Sequence, residues 1–104
     1  MIEKIYTYSL SDELKIEKII FDENINYIHM VFPKDEGLPE HNANSNLYIS
    51  VIRGHLSITL GTQETHVYPR GTVVRLPEGT RMKISNHHNE VLELIVVKAP
   101  APKK

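Results

Sequence analysis

Between clusters of Gly, Pro, Asn and Asp the chain alternates apolar and polar residues with the two-residue period of half-buried strands, and no stretch sustains a helical period. The pattern predicts strands over residues 16–21, 25–32, 47–53, 55–60, 64–68, 72–76, 80–85 and 91–98. Only residues 9–14, with Ser9 placed to cap and Asp12 in a first turn, are expected to form a helical turn. Short strands at this spacing, separated by turn residues, suit a sandwich or barrel.

The alternation also assigns faces. Met82 and Ile84 share one side of their strand, opposite Arg81, Lys83 and Ser85, so Met82 is expected to face the core. Leu47, Ile49 and Val51 oppose Tyr48, Ser50 and Ile52, while Leu56, Ile58 and Leu60 oppose His55, Ser57 and Thr59. Ile28, Met30 and Phe32 take the inner side of their strand, which sends Tyr27, His29 and Val31 outward. Arg53-Gly54-His55 and Gly61-Thr62-Gln63 read as tight reversals that join consecutive antiparallel hairpins. The last strand departs from the pattern. Leu92, Leu94 and Val96 fill one side, and Val91, Ile95 and Val97 make the other apolar too, broken only by Glu93. Such a strand needs cover on both faces, from residues 2–8 or from another subunit, and a homodimer is expected.

At 104 residues the chain is one domain, divided by this reading into an amino-terminal strand or turn segment (1–15), a barrel (16–98) and an extended, disordered tail (99–104). A net charge of −1 supplies no basic surface for nucleic acid or an anionic membrane, so neither is expected as a partner. Without cysteine there is no disulfide framework, thiolate metal site or cysteine nucleophile. Residues 1–8 carry Glu3 and Lys4 where a signal peptide would be uninterruptedly apolar, and the longest apolar run, 94–97, cannot span a bilayer. A cytoplasmic protein is the expectation.

Gly71, Pro77, Gly79 and Asn86 stand at the spacing of the second motif of the cupin family, and His41 and Gly54 at two positions of its first. From residue 16 to residue 98 the chain resembles a small single-domain cupin, an RmlC-like barrel. The resemblance implies an all-β fold, a small antiparallel β-barrel or double-stranded β-helix of jelly-roll type. In that family three histidines and one glutamate point into the barrel and hold a divalent metal. Here Ala43 stands at the second histidine, Leu47 at the glutamate and Met82 at the third histidine, leaving His41 alone. The residues kept are those with backbone roles, and those lost are the ligands. A catalytic zinc or iron site needs about three imidazole or carboxylate ligands converging on one point. No metal or other cofactor is therefore expected. His87 and His88 are adjacent and diverge in extended chain, and His55 and His66 fall on outward parities.

These residues imply a metal-independent binding protein, its interior pocket lined by His41, Ala43, Leu47, Ile49, Met82 and Ile84 and taking a small, mostly apolar ligand. Two alternatives stand beside it. One is a cupin enzyme: a metal-dependent oxygenase or isomerase with replacement ligands, or a metal-free isomerase using His41 with a tyrosine such as Tyr27 or Tyr48. The other is a barrel whose centre is filled by Leu47 and Met82, with function at the dimer surface.

Overall fold

The computed structural model describes residues 1–103. Nine strands follow in chain order: β1 (Lys15–Phe21), β2 (Asn26–Phe32), β3 (Gly37–Asn42), β4 (Leu47–Arg53), β5 (His55–Leu60), β6 (His66–Pro69), β7 (Val73–Leu76), β8 (Arg81–Ser85) and β9 (Leu92–Lys98). They form two antiparallel sheets, one in the order β1-β2-β9-β4-β7 and the other β3-β8-β5-β6. Among the described residues no helix is long and apolar enough to cross a membrane.

Each inner face is the apolar stripe that the alternation assigns. Ile28, Met30 and Phe32 of β2, Leu92, Leu94 and Val96 of β9, and Leu47, Ile49 and Val51 of β4 meet Leu56 and Ile58 of β5 and Met82 and Ile84 of β8 in one core. Side chains from facing sheets that interdigitate in this way are the main source of stability in a domain of this size.

Three local expectations fail. Residues 37–42 form β3, an edge strand. Pro39 is tolerated there because an edge strand has one unpaired side, and its partly or fully exposed residues lack the apolar stripe by which a strand is recognised. The reversal at Gly54 is not a hairpin, because β4 and β5 belong to different sheets and the chain turns a corner between them. Gly54 adopts a φ of 80°, and a Cβ there would meet the Val91 carbonyl oxygen at 2.3 Å, so the corner requires glycine twice over. Residues 9–14 form no helical turn. Ser9 does not cap; its hydroxyl donates to Glu17 Oε1 at 2.8 Å.

Asn86 shows what a motif residue does for the backbone. Fully buried, its amide nitrogen donates to the carbonyls of Phe32 and Glu90, both at 2.9 Å, and its Oδ1 accepts the His88 N–H at 3.0 Å. It thereby ties the end of β8 to the end of β2 and shapes the turn into β9.

The outer face of the five-stranded sheet is covered around β2 and β9 by the chain's own amino-terminal segment, while Ile52 of β4 and Val73 of β7 stay exposed. Tyr8 stacks on His29 with ring centroids 4.0 Å apart, and Asp12 Oδ1 accepts from Arg53 Nη1 at 2.6 Å. Beneath this strap His29 is wholly buried between two carboxylates: Nδ1 lies 2.7 Å from Glu17 Oε1 and Nε2 lies 2.6 Å from Glu93 Oε2. Glu93, which interrupts the apolar outer face of β9, thus bonds His29 and lies 3.4 Å from Arg53 Nε, the two residues on which Tyr8 and Asp12 of the strap rest. Bonds from His29, and then from Ser9, hold the Glu17 carboxyl below its usual range.

Candidate ligand site at the barrel mouth

The interior positions come together, but around no hollow. Ala43, Leu47, Ile49, Met82 and Ile84 belong to one packed cluster with exposures between 0 and 4%. An opening wide enough for water would leave its walls accessible, so the expected interior pocket is filled. Leucine and methionine occupy the volume that a metal and its ligands would need.

His41 is not part of that cluster. It lies opposite Met82 in the β3–β8 register, but on the edge strand, after an irregularity between Leu38 and His41, and its ring is exposed. Its Nδ1–H donates to the Pro39 carbonyl at 2.8 Å. Tyr27 and Tyr48 lie on the outer face of the other sheet, each paired with Val97 of β9. The metal-ligand positions thus present one exposed imidazole and three buried apolar side chains, a donor set that does not fit a divalent ion. Among the described residues no three His, Asp or Glu side chains converge to hold one. The His55 and His88 rings lie 4.9 Å apart, and His87 Nε2 is 2.9 Å from Ser85 Oγ. Both ring nitrogens of His29 are engaged by carboxylates, Nδ1 by Glu17 and Nε2 by Glu93.

A different concave site is built where the inner stripes turn polar. On β2 the inner series Phe32, Met30, Ile28 ends in Asn26, and on β9 the series Leu92, Leu94, Val96 ends in Lys98, directly opposite Asn26. On β1, Lys18 pairs with Ile28 and so shares its face. All three changes fall at the same end of the barrel. There a cleft of about 790 Å3 opens, floored by Ile28 and Phe21 and ringed by Lys18, Lys98, Asn26 and Asn44.

The segments that close the cleft are fixed by hydrogen bonds. The Ala99 N–H donates to the Asn46 carbonyl at 3.1 Å and the Ala101 N–H to the Asn24 carbonyl at 3.0 Å, while the Ser45 hydroxyl donates to the Pro100 carbonyl. Ala99 to Lys103 therefore lie along the mouth, where Ala101, Pro102 and Lys103 form part of the wall; Lys104 is outside the described residues.

Among the described residues the mouth is cationic on balance, with Lys18, Lys98 and Lys103 against Asp22 and Glu23. Asp22 is engaged by its own turn, accepting the N–H groups of Asn24 and Ile25 at 2.8 and 2.9 Å. Those two bonds lower its pKa, the Ile25 bond more. Lys98 donates to Asn44 Oδ1 at 2.9 Å; burial, and then the charge of Lys18, push its pKa down. Lys18 is exposed, its Nζ 5.2 Å from the centroid of the Phe21 ring, and the two positive charges on one cleft favour an anion there.

No family model matches the chain. It is, however, 39% identical over 105 residues to an uncharacterised protein of Methanocaldococcus jannaschii, MJ0764, with 100% of this chain and 90% of that protein covered. The crystal structure of MJ0764, described as an RmlC-like cupin family protein with a double-stranded β-helix fold, superposes with a TM-score of 0.95 at 37% identity, over 98% of this chain and 94% of that one. This chain belongs to the RmlC-like cupin family. The cupin fold extends to distant structures, among them the cupin domain of Schizosaccharomyces pombe Cnp3, with a TM-score of 0.78 at 18% identity over 90% of this chain and 69% of that one. A cupin superfamily protein from Desulfitobacterium hafniense gives 0.76 at 10% identity over 89% and 83%. As a cupin, this protein keeps the glycines, proline and asparagine that shape the corners and has apolar side chains where the ligands stand.

The interior residues expected to line a pocket pack in the core, and the cleft at the mouth was not among the expectations. The signal for the mouth was present in the same parity argument, since Asn26 and Lys98 continue inner-facing series, but polar residues at strand ends pass for solvent-facing termini. The tail carries no apolar face, and only the fold brings it to the cleft. His29 was correctly turned outward, yet its burial depends on the strap, which strand parity does not describe.

Proposed function

We propose that this cupin is a metal-independent binding protein for a small organic anion, held at the barrel mouth and not in the barrel interior. The observation that carries the reading is Lys98: a half-buried ammonium fixed by Asn44, crowded by Lys18, and set above the apolar floor of Ile28 and Phe21. A carboxylate or phosphate group between the two lysines would relieve their repulsion, and the floor would accept a short apolar body. Few orienting polar groups over an apolar base is the usual composition of a small-molecule site.

Isothermal titration with hexanoate, citrate and inorganic phosphate tests this directly. At least one of these should bind at or below roughly millimolar concentration, and Lys98→Met should weaken it about tenfold or more while leaving the fold intact. Affinity should also fall as pH rises towards 10.5, because the lowered pKa of Lys98 causes it to lose its charge below that value. Absence of binding by all three anions, or binding that Lys98→Met does not alter, would overturn the reading.

A further inference from the structure

The cleft at the mouth carries charges of both signs that do not neutralise one another. Lys18 and Lys98 rise from β1 and β9, and Asp22 and Glu23 stand in the turn that follows β1. Among the described residues no ion pair joins either lysine to either carboxylate. The register accounts for the gap to Lys98. Phe21, at the end of β1, pairs with Asn26, and Asn26 pairs with Lys98. Two strand spacings, about 10 Å, therefore separate Lys98 from the strand that leads into the turn. Lys98 is held on its own side by Asn44 Oδ1, on the loop before β4. Asp22 is held on the other by the N–H groups of Ile25 and Asn24. These bonds, and in smaller part the charge of Lys4, keep it ionised through the neutral range.

Between the two flanks lies Asn26. It is 7% exposed and forms part of the cleft wall, and among the described residues its side-chain amide makes no hydrogen bond. Buried polar side chains are almost always satisfied, so the partner of this amide comes from the cleft. An amide serves either sign, since its NH2 donates to a carboxylate and its oxygen accepts from an ammonium.

The geometry points to a zwitterion of the amino-acid class as the ligand of the mouth, its carboxylate beside Lys98 and Lys18, its ammonium beside Asp22 and Glu23, and a short apolar body between them over Ile28 and Phe21. This rests on the reading of the mouth as a binding site for an organic anion, and adds the second charge. A simple anion meets the lysines but is repelled by the acidic turn. A dipolar molecule meets both flanks, and charge complementarity of this kind selects among ligands of equal size.

Calorimetric titration of the full chain with hexanoate and with 6-aminohexanoate, at pH 7 and low salt, tests the inference apart from the reading it extends. The two probes differ only in the terminal methyl, which becomes an ammonium. The wild type should bind 6-aminohexanoate at least ~threefold more tightly. In the double variant Asp22→Asn, Glu23→Gln the order should reverse, 6-aminohexanoate weakening and hexanoate strengthening. The first substitution keeps the oxygen that accepts the turn's N–H groups, and circular dichroism checks that the fold is retained. A wild type that binds hexanoate as tightly as 6-aminohexanoate, or more so, would overturn the inference and leave the anion site standing. So would a preference for 6-aminohexanoate that survives the double variant. Binding of neither probe would overturn the inference, and phosphate and citrate would then decide the anion site itself.

Discussion

Truncating Leu47 and Met82 separates a filled barrel from a hollow one. Both side chains are buried in the central cluster, on facing sheets, with 3% and 2% exposure. In a filled core, Leu47→Ala loses the transfer free energy of the removed carbons and also leaves a cavity that its strand-held neighbours cannot close. The two terms together come to about 3 kcal/mol, within a range of roughly 2–5 kcal/mol for either substitution. At roughly 4–8 °C per kcal/mol for a domain of this size, the midpoint should fall by at least ~12 °C. Equilibrium unfolding in urea is the assay, with an unchanged slope showing that the two end states are comparable. The volume-conserving Leu47→Met serves as control, at a cost below about 1.5 kcal/mol. If the residues instead lined an open pocket, truncation would enlarge a space already wet, and a loss under ~1 kcal/mol for both alanine variants would refute the reasoning.

Two further outcomes follow from local geometry. Gly54→Ala should cost roughly 2–4 kcal/mol, since it adds a clash with the Val91 carbonyl to a φ of 80°, whereas Gly71→Ala, at a φ of 87° with open space around it, should cost about 1–2 kcal/mol; equal costs in urea unfolding would contradict the corner at Gly54. The strap should loosen in acid. Because the folded pKa of Glu17 is lowered from 4.5, its contribution is complete above that pH and is lost as pH falls through the folded value. Hydrogen exchange at the Ser9 amide, which donates to Glu17 Oε1, should gain relative to the barrel amides below about pH 4.5 in the wild type and show no such step in Glu17→Gln; a wild type with no step would remove Glu17 as the anchor.

Much of the barrel could be read from strand parity because its cause is local. Which side chains of β2, β4, β8 and β9 turn inward follows from the two-residue period alone, and Met82 and Ile84 are buried as that period requires. Pairing is not local. Nothing within residues 47–60 distinguishes a hairpin from a corner, because Gly54 serves either, and only the assembled sheets separate β4 from β5. β3 was silent for a related reason, since an edge strand with exposed Pro39, Glu40 and His41 has no burial pattern to report. The fate of the ligand positions was legible as chemistry, Ala43, Leu47 and Met82 being unable to hold an ion. Whether their replacement left a cavity or filled it depends on volumes across the two sheets. The mouth draws together β1, β2, β9, the 43–46 loop and the tail, segments far apart in the chain that are neighbours only in the fold.

Side-chain-resolved NMR titration with hexanoate and with inorganic phosphate tests the central claim, that the barrel is closed and its mouth is the binding surface. The account expects the perturbations to centre on the Ile28 methyls, the Phe21 ring, the Asn44 amide and the Lys98 ammonium, with the methyls of Ile49, Met82 and Ile84 unmoved. Shifts centred on Ile49, Met82 and Ile84 while the Lys98 signals stay still would contradict it.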